Sequence, residues 1–209
     1  METSSQPVSP LRQRMLEDMR MRKLEPSGEQ PAARFGHSMV LDAATNTVLC
    51  FGGATGSAEG NALNDLYTYD ILRNTWSNRN AKGDPPAPRL DACAAVLKSS
   101  LVVYGGSAPT PAGSPQKYLP TNEIFVLDFL SNTWTQQRAS NPAAAPAKLY
   151  GPAYVLEDEI VALGDDDRGN RLLYRLSPKQ SEWYWERNLI NGPPPAAKGW
   201  AFAMALTQS

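Results

Sequence analysis

The chain has 209 residues, with 20 Lys or Arg against 21 Asp or Glu, so its formal net charge is -1. This balance gives no electrostatic reason to expect nucleic acid or an anionic membrane as the main partner. The 2 cysteines are too few for a disulfide scaffold, and no run approaches the roughly 18 apolar residues of a membrane span. We therefore expect a soluble, cytoplasmic protein with one sizeable core.

Residues 1–30 are predicted to form a helical extension followed by a linker. The helix is predicted from Pro10 to Glu25, because strong helix formers fill this stretch and Ser9 can cap its first turn. Apolar side chains recur on one side of this helix, at Leu11, Met15 and Met19. So short a helix is marginal alone, so it is expected to dock or to fray.

A pattern of glycine and tryptophan recurs three times after this extension. In each copy an apolar run ends on a glycine, a polar loop and a second apolar segment follow, and a Trp comes near the end. The pairs, in chain order, are Gly52 with Trp76, Gly105 with Trp134, and Gly164 with Trp183. The three glycines lie 53 and 59 residues apart, a period typical of propeller blades.

Every repeat opens with a segment rich in Pro and Ala and then a basic residue. These basic residues are Arg34, Arg89, Lys148 and Lys198. A strand of small residues follows each of them, the glycine ends a second strand, and the Trp belongs to a fourth. This arrangement predicts blades of four antiparallel strands at about 34–79, 89–137 and 148–187, with the first strand of a fourth blade at 198–206.

These features resemble kelch repeats over residues 31–209. The resemblance rests on the Gly-Gly pairs, on Arg34-Phe-Gly-His-Ser38, on Asn64-Asp65-Leu66-Tyr67, and on Trp76 and Trp134 at matching offsets. It implies an all-β fold, a partial β-propeller of four-stranded antiparallel blades with a short N-terminal α-helix. The third unit departs from the pattern, because an aspartate replaces its second glycine.

Three blades and one strand do not close a ring, since propellers usually carry four to eight blades. Three explanations stay open: a fragment of a longer gene, a second copy that supplies the missing blades, and an open form. The N-terminal helix also resembles the opening of some tyrosine-recombinase domains over about a dozen residues, but no basic face or further recombinase segment is visible.

No set of residues for catalysis or metal binding is recognisable in the sequence. His37 is the single histidine, and without a second His or a nearby Cys it is interpreted as structural. Cys50 and Cys93 lie within predicted strands and are expected to be buried and reduced. The kelch galactose oxidases bind copper through Tyr and His ligands, which a chain with one His does not match. We therefore expect a non-enzymatic protein without a cofactor.

The kelch resemblance implies a protein-protein interaction module, an adaptor or scaffold that presents blade loops to a protein partner. The candidate contacts on these loops are Ser57, Glu59, Asn61, Lys117 and Tyr118. Arg34 and Arg89 are expected near the channel mouth, where they would anchor an acidic partner; the alternative is a structural role in bonding loop carbonyls. Self-association through open blade faces is a further option.

The competing function is a degenerate or truncated relative of a kelch enzyme, such as galactose oxidase or a metal-dependent specifier protein. The two functions differ in the ligands and catalytic groups that they require, and this sequence lacks those of the enzymes.

Overall fold

A computed structural model of the protein describes residues 23–56, 61–112, 114, 117–179 and 182–188. Helical structure within these ranges is confined to a three-residue 3-10 turn, Pro142–Ala144. The predicted helix lies outside the described residues except for its last three. Residues Lys23 to Glu25 have irregular backbone, so the helix does not extend to Glu25.

Eighteen strands account for the rest of the regular structure in the described ranges. Those of the first unit are β1 (Ser27–Gly28), β2 (Ser38–Asp42), β3 (Thr47–Phe51), β4 (Ala54–Thr55), β5 (Asn61–Ala62), β6 (Leu66–Asp70) and β7 (Thr75–Asn78). Those of the second are β8 (Lys82–Gly83), β9 (Cys93–Leu97), β10 (Ser100–Tyr104), β11 (Ser107–Pro109), β12 (Tyr118–Pro120), β13 (Ile124–Asp128) and β14 (Thr133–Gln137). Those of the third are β15 (Lys148–Leu156), β16 (Glu159–Asp165), β17 (Arg171–Lys179) and β18 (Glu182–Asn188).

Three sheets built from these strands have the topology of propeller blades. Blade 1 runs β2-β3-β6-β7, blade 2 runs β9-β10-β13-β14, and blade 3 runs β15-β16-β17-β18, with all neighbours antiparallel. The strand pairs β4-β5 and β11-β12 form separate hairpins between the second and third strands of blades 1 and 2. The predicted all-β fold of four-stranded antiparallel blades is confirmed. The strand predicted at 198–206 lies outside the described residues.

The segments that precede the first two blades add an outer strand that the sequence did not predict. Strand β1 pairs in parallel with β7, and β8 pairs in parallel with β14. In blade 3 a single parallel bridge between Ala139 and Trp183 takes the same place. Gly28 and Gly83 adopt positive φ angles of 83° and 79° in these outer strands. The sequence feature that could have predicted these outer strands is a glycine at a fixed distance before Arg34 and Arg89.

The hydrophobic core lies between adjacent blades. Between blades 1 and 2, Leu49, Phe51 and Leu66 of blade 1 pack against side chains of blade 2. Those of blade 2 are Leu101, Val103, Phe125, Leu127 and Trp134. The ring centroids of Phe51 and Trp134 lie 5.8 Å apart, and those of Tyr104 and Trp185 lie 4.7 Å apart across the next interface. Phe51 and Tyr104 each precede a Gly-Gly pair, so the residue before the glycines packs on a Trp of the following blade.

Blade 3 makes this contact with Trp185, whereas the sequence pattern pointed to Trp183. Across blade 2 the register aligns Leu101, Leu127 and Trp134; across blade 3 it aligns Ile160, Leu176 and Trp185. Strands β17 and β18 stay paired for two residues more toward their turn than β13 and β14 do. The residue opposite Leu176 is therefore Trp185 and not Trp183. Trp183 is also buried.

Candidate functional site

Arg34 precedes the first strand of blade 1 and closes the end of that blade. Its Nη1 donates hydrogen bonds to the carbonyl of Gly52 at 3.1 Å and to Oδ1 of Asp65 at 2.5 Å, while Nη2 donates to Oδ2 of Asp65 at 3.0 Å. The guanidinium carbon lies 5.4 Å from the ring centre of Tyr67. The side chain is only 4 % exposed, and the hydrogen bond with Asp65 raises the pKa of Arg34.

Arg89 has the same surroundings in blade 2. Its guanidinium donates to the carbonyl of Gly105 at 2.9 Å and to Oε2 of Glu123 at 2.8 Å, and it lies 5.3 Å from the ring centre of Phe125. The side chain is 0 % exposed. In both blades the carbonyl acceptor is the first glycine of the pair, and the carboxylate comes directly before the third strand.

The main chain of Arg89 also ties blade 2 to blade 1. Its N–H donates to the carbonyl of Leu63 at 3.0 Å, and its carbonyl accepts a hydrogen bond from the N–H of Gly53 at 2.9 Å. One residue therefore fixes the end of its own blade through the side chain and the preceding blade through the backbone. This geometry supports the structural alternative for the two arginines, because buried guanidinium groups offer no surface to an acidic partner.

The sequence did not predict which carboxylates pair with the two arginines. Asp65 and Glu123 lie 31 and 34 residues after their arginines, too far for a local pattern to link them. The available signal was a repeated Asn–acid–apolar triplet, Asn64-Asp65-Leu66 and Asn122-Glu123-Ile124. In blade 3 a different pair occupies this end, with Nε of Arg171 3.1 Å from Oδ1 of Asp165.

The loops after the Gly-Gly pairs of blades 1 and 2 are hairpins that leave their blades at equivalent points. The N–H of Leu63 donates to the carbonyl of Gly53 at 2.7 Å, and the N–H of Thr121 donates to the carbonyl of Gly106 at 2.9 Å. Since strand direction repeats from blade to blade, both hairpins project from the same rim. We call β4-β5 and β11-β12 the rim hairpins.

Three of the five predicted loop contacts lie on the rim hairpins. Asn61 is exposed at the start of β5, Lys117 is exposed just before β12, and Tyr118 is half-buried at the start of β12. The Nζ of Lys117 is 5.7 Å from the ring centre of Tyr118, and the neighbouring Leu119 is also exposed. Ser57 and Glu59 fall outside the described residues.

His37 is half-buried and was expected to make a structural hydrogen bond, whereas the two cysteines were expected in the core. Burial, and then the charge of Arg34, lower the pKa of His37. Its Nδ1 is buried without a hydrogen-bond partner among the described residues. Both thiols are buried, as predicted; burial raises the pKa of Cys50 and brings that of Cys93 to about 12. Over the described ranges, no three His, Cys, Asp or Glu side chains are grouped as metal ligands.

Repeated four-stranded blades, closed by Gly-Gly pairs and packed face to face through Trp, define the class of β-propeller repeat proteins. Within this class the chain belongs to the kelch repeat family: the sequence model of the KLHDC2/KLHL20/DRC7 Kelch-repeats domain matches residues 9–209. Membership of this family supports a protein-interaction module in general terms, and kelch domains are typically non-enzymatic.

Similar proteins come from animals, plants and algae. The chain is 28 % identical to Putative protein tag-53 of Caenorhabditis elegans over 67 % of its length, and 27 % identical to Acyl-CoA-binding domain-containing protein 5 of Arabidopsis thaliana over 84 %. It is 38 % identical to Dynein regulatory complex subunit 7 of Chlamydomonas reinhardtii over 39 % of its length. The matched regions make up 10 %, 26 % and 7 % of those three proteins.

No helix in the part of the chain that the structure describes is long and apolar enough to cross a membrane.

Proposed function

We propose that this chain is a non-catalytic adaptor or scaffold module that presents the rim hairpins of its blades to a protein partner. The observation that carries the proposal is the second rim hairpin, β11-β12. It pairs as a two-stranded ribbon separate from the blade sheet, and Lys117, Tyr118 and the exposed Leu119 follow one another along it.

The chemistry of this cluster fits protein recognition. Tyr combines a large apolar ring with a hydroxyl that can hydrogen-bond, and aromatic anchors of this kind supply much of the binding energy in protein interfaces. Because successive residues of a strand point to opposite faces, the exposed Leu119 offers a second apolar contact on the face opposite Tyr118. The Lys adds a positive charge near the Tyr ring. Asn61 on the neighbouring rim hairpin supplies a polar contact, as would Ser57 and Glu59 on the same loop.

Because Arg34 and Arg89 are buried, the anchoring role moves from the arginines to the rim hairpins. The partner proposed here is a folded protein or a peptide whose surface offers an apolar contact for Tyr118 and Leu119, with a carboxylate within reach of Lys117.

The test compares affinity purification of the wild-type chain with that of two variants, analysed by quantitative mass spectrometry. In the rim variant, Tyr118→Ala and Leu119→Ser are combined. The control, Leu130→Ser, changes an exposed leucine in the turn between β13 and β14, at the opposite end of the blade. A partner held by the rim should be depleted at least about tenfold by the rim variant, a loss of about 1.4 kcal/mol, and retained by the control.

Unchanged recovery of every interacting protein with the rim variant would remove the support for this function. Melting curves of both variants are needed alongside, so that lost binding is not mistaken for lost folding.

A further inference from the structure

The core between blades 2 and 3 contains three buried polar atoms that have no hydrogen-bond partner among the described residues. They are the hydroxyls of Tyr104 and Tyr174 and the indole Nε1 of Trp185. The three side chains are only 4 %, 0 % and 3 % exposed. The Trp185 ring centre lies 4.7 Å from that of Tyr104 and 6.1 Å from that of Tyr174, so all three belong to one aromatic cluster.

The interface between blades 1 and 2 is built without such atoms at the equivalent positions. Phe51 stands where blade 2 has Tyr104, directly before the Gly-Gly pair, and its ring has no hydroxyl. Trp134 stands where blade 3 has Trp185, and its indole nitrogen is not a buried, unpaired atom within the described ranges. The unpaired polar atoms are therefore a feature of the second interface and not of the repeat.

Blade 3 differs from the other two blades at this interface in its backbone as well. The regular pairing of β15 with β16 breaks between Tyr150 and Tyr154, where residues 151–153 lie opposite Ala162 alone. In blades 1 and 2 the first and second strands pair residue for residue without a break. A bulge of this kind leaves backbone N–H and C=O groups outside the ladder, and such groups take side chains or water as partners.

A small cavity connects the bulge with the aromatic cluster. Its lining includes Cys93 and Tyr104 of blade 2 and Ala153, Ala162 and Trp185 of blade 3. The space open to the centre of a water molecule is about 10 Å³. A cavity of this size takes about one water molecule and no larger ligand.

We propose that one ordered water molecule binds in this cavity and joins blade 2 to blade 3. The water accepts a hydrogen bond from Nε1 of Trp185 and shares a second with the hydroxyl of Tyr104, and a backbone group of the bulge makes the third. Buried waters typically make about three such bonds to groups that would otherwise be unpaired. Burial raises the pKa of Tyr104, so its hydroxyl stays protonated and can donate as well as accept.

Thermal melts of two Tyr→Phe variants test the proposal through the sign of the change. Tyr104→Phe keeps the ring, as Phe51 does in blade 1, and removes only the hydroxyl that binds the water. The Tm should fall by about 2–4 °C, the usual effect of losing one hydrogen bond in a chain of this size. Tyr174→Phe is the matched control, because its hydroxyl is equally buried but does not line the cavity.

The alternative is an empty cavity, which its many apolar lining side chains would allow. In that case the Tyr104 hydroxyl has no bond to lose, and Tyr104→Phe should leave the Tm unchanged or raise it. Either result would overturn the proposal. An equal fall in Tm for Tyr104→Phe and Tyr174→Phe would overturn it as well, because the effect would then not belong to the cavity.

A high-resolution crystal structure of the full chain shows the water directly. The proposal expects an ordered water about 2.8 Å from the hydroxyl oxygen of Tyr104 and about 2.9 Å from Nε1 of Trp185. A structure that resolves ordered water elsewhere in the protein but has no density between these two atoms would contradict it.

Discussion

At the scale of single residues, the two buried arginines show how a kelch blade is closed. Each guanidinium satisfies a carbonyl at the end of the second strand and a carboxylate before the third, and it covers an aromatic ring. Buried charge is costly unless it is paired and hydrogen-bonded, and here both conditions are met. These contacts assign stability to Arg34 and Arg89.

Replacing Arg89 by Ala should destabilise the protein by about 3 kcal/mol, the low end of the range for a broken buried pair, because Glu123 keeps part of its solvent contact. For a chain of this size the Tm should fall by about 6–12 °C. The measurement is a thermal melt followed by circular dichroism.

Arg73→Ala is the matched control for that melt. Arg73 pairs with Asp70 at 2.6 Å, but its side chain is 82 % exposed, so the change should cost at most about 1 kcal/mol. If Arg89→Ala melted like Arg73→Ala, the structural role assigned to Arg89 would be untenable.

His37 should make the stability of the protein depend on pH. Its pKa in the folded protein lies below the unfolded value of 6.5, so the unfolded chain binds the proton more readily. The contribution of His37 to stability is therefore complete above about pH 6.5 and is lost as the pH falls through that value toward the folded pKa.

Denaturant unfolding at a series of pH values, compared with His37→Gln, checks this expectation. The difference in unfolding free energy between the two proteins should grow in favour of the variant below pH 6.5. A difference that stays constant from pH 8 to pH 5 would show that His37 does not titrate between the two states as proposed. Asp91, whose pKa burial raises, is present in both proteins and cancels in the comparison.

At the scale of elements, the parallel outer strand depends on a glycine. In Gly83, φ is +79°, and a Cβ there would meet the carbonyl oxygen of Trp134 on the neighbouring strand. An L-residue at this position would destabilise the fold through both the positive φ and the contact with rigid backbone. The outer strand of blade 2 can pair closely with β14 because residue 83 has no side chain.

Gly83→Ala should therefore destabilise the protein more than Gly169→Ala. Gly169 has the same φ of +79°, but no atom lies within 4 Å of the position that a Cβ would take there, so only the backbone strain of about 1–2 kcal/mol applies. The difference between the two melting temperatures measures the close approach of β8 to β14. Equal Tm losses would mean that β8 moves aside without cost.

At the scale of the whole molecule, stability comes from the contacts between blades. Trp134 and Trp185 are buried against the aromatic residue that precedes the Gly-Gly pair of the blade before. Trp76 is half-buried, and its ring lies 5.0 Å from that of Tyr69 within its own blade. The same residue type thus makes a different contact in blade 1 than in blades 2 and 3.

Substituting Trp134 or Trp185 by Ala should cost about 3–5 kcal/mol each, the usual loss for a buried aromatic side chain. Trp76→Ala should cost clearly less, because part of its surface is already in solvent. Chemical denaturation of the three variants provides the comparison, and a Trp76 effect as large as the others would show that its face is fully covered.

The sequence alone determined the all-β fold and the four antiparallel strands that recur in each described blade. Gly-Gly pairs and apolar runs are local features, and local chemistry is sufficient to mark where strands begin and end. Their recurrence after more than fifty residues indicates the repeated blades. The burial of Cys50 and Cys93 followed from the same pattern, since both lie in apolar segments.

Tertiary structure alone decided which side chains meet. Arg89 is buried and hydrogen-bonded because the fold places Glu123, 34 residues later in the chain, next to its guanidinium. Trp185 took the inter-blade position because β17 and β18 pair for two residues more than their counterparts. The outer strands β1 and β8 form by parallel pairing with segments about fifty residues away. Each of these depends on pairing register between distant segments, which sequence spacing along one segment does not contain.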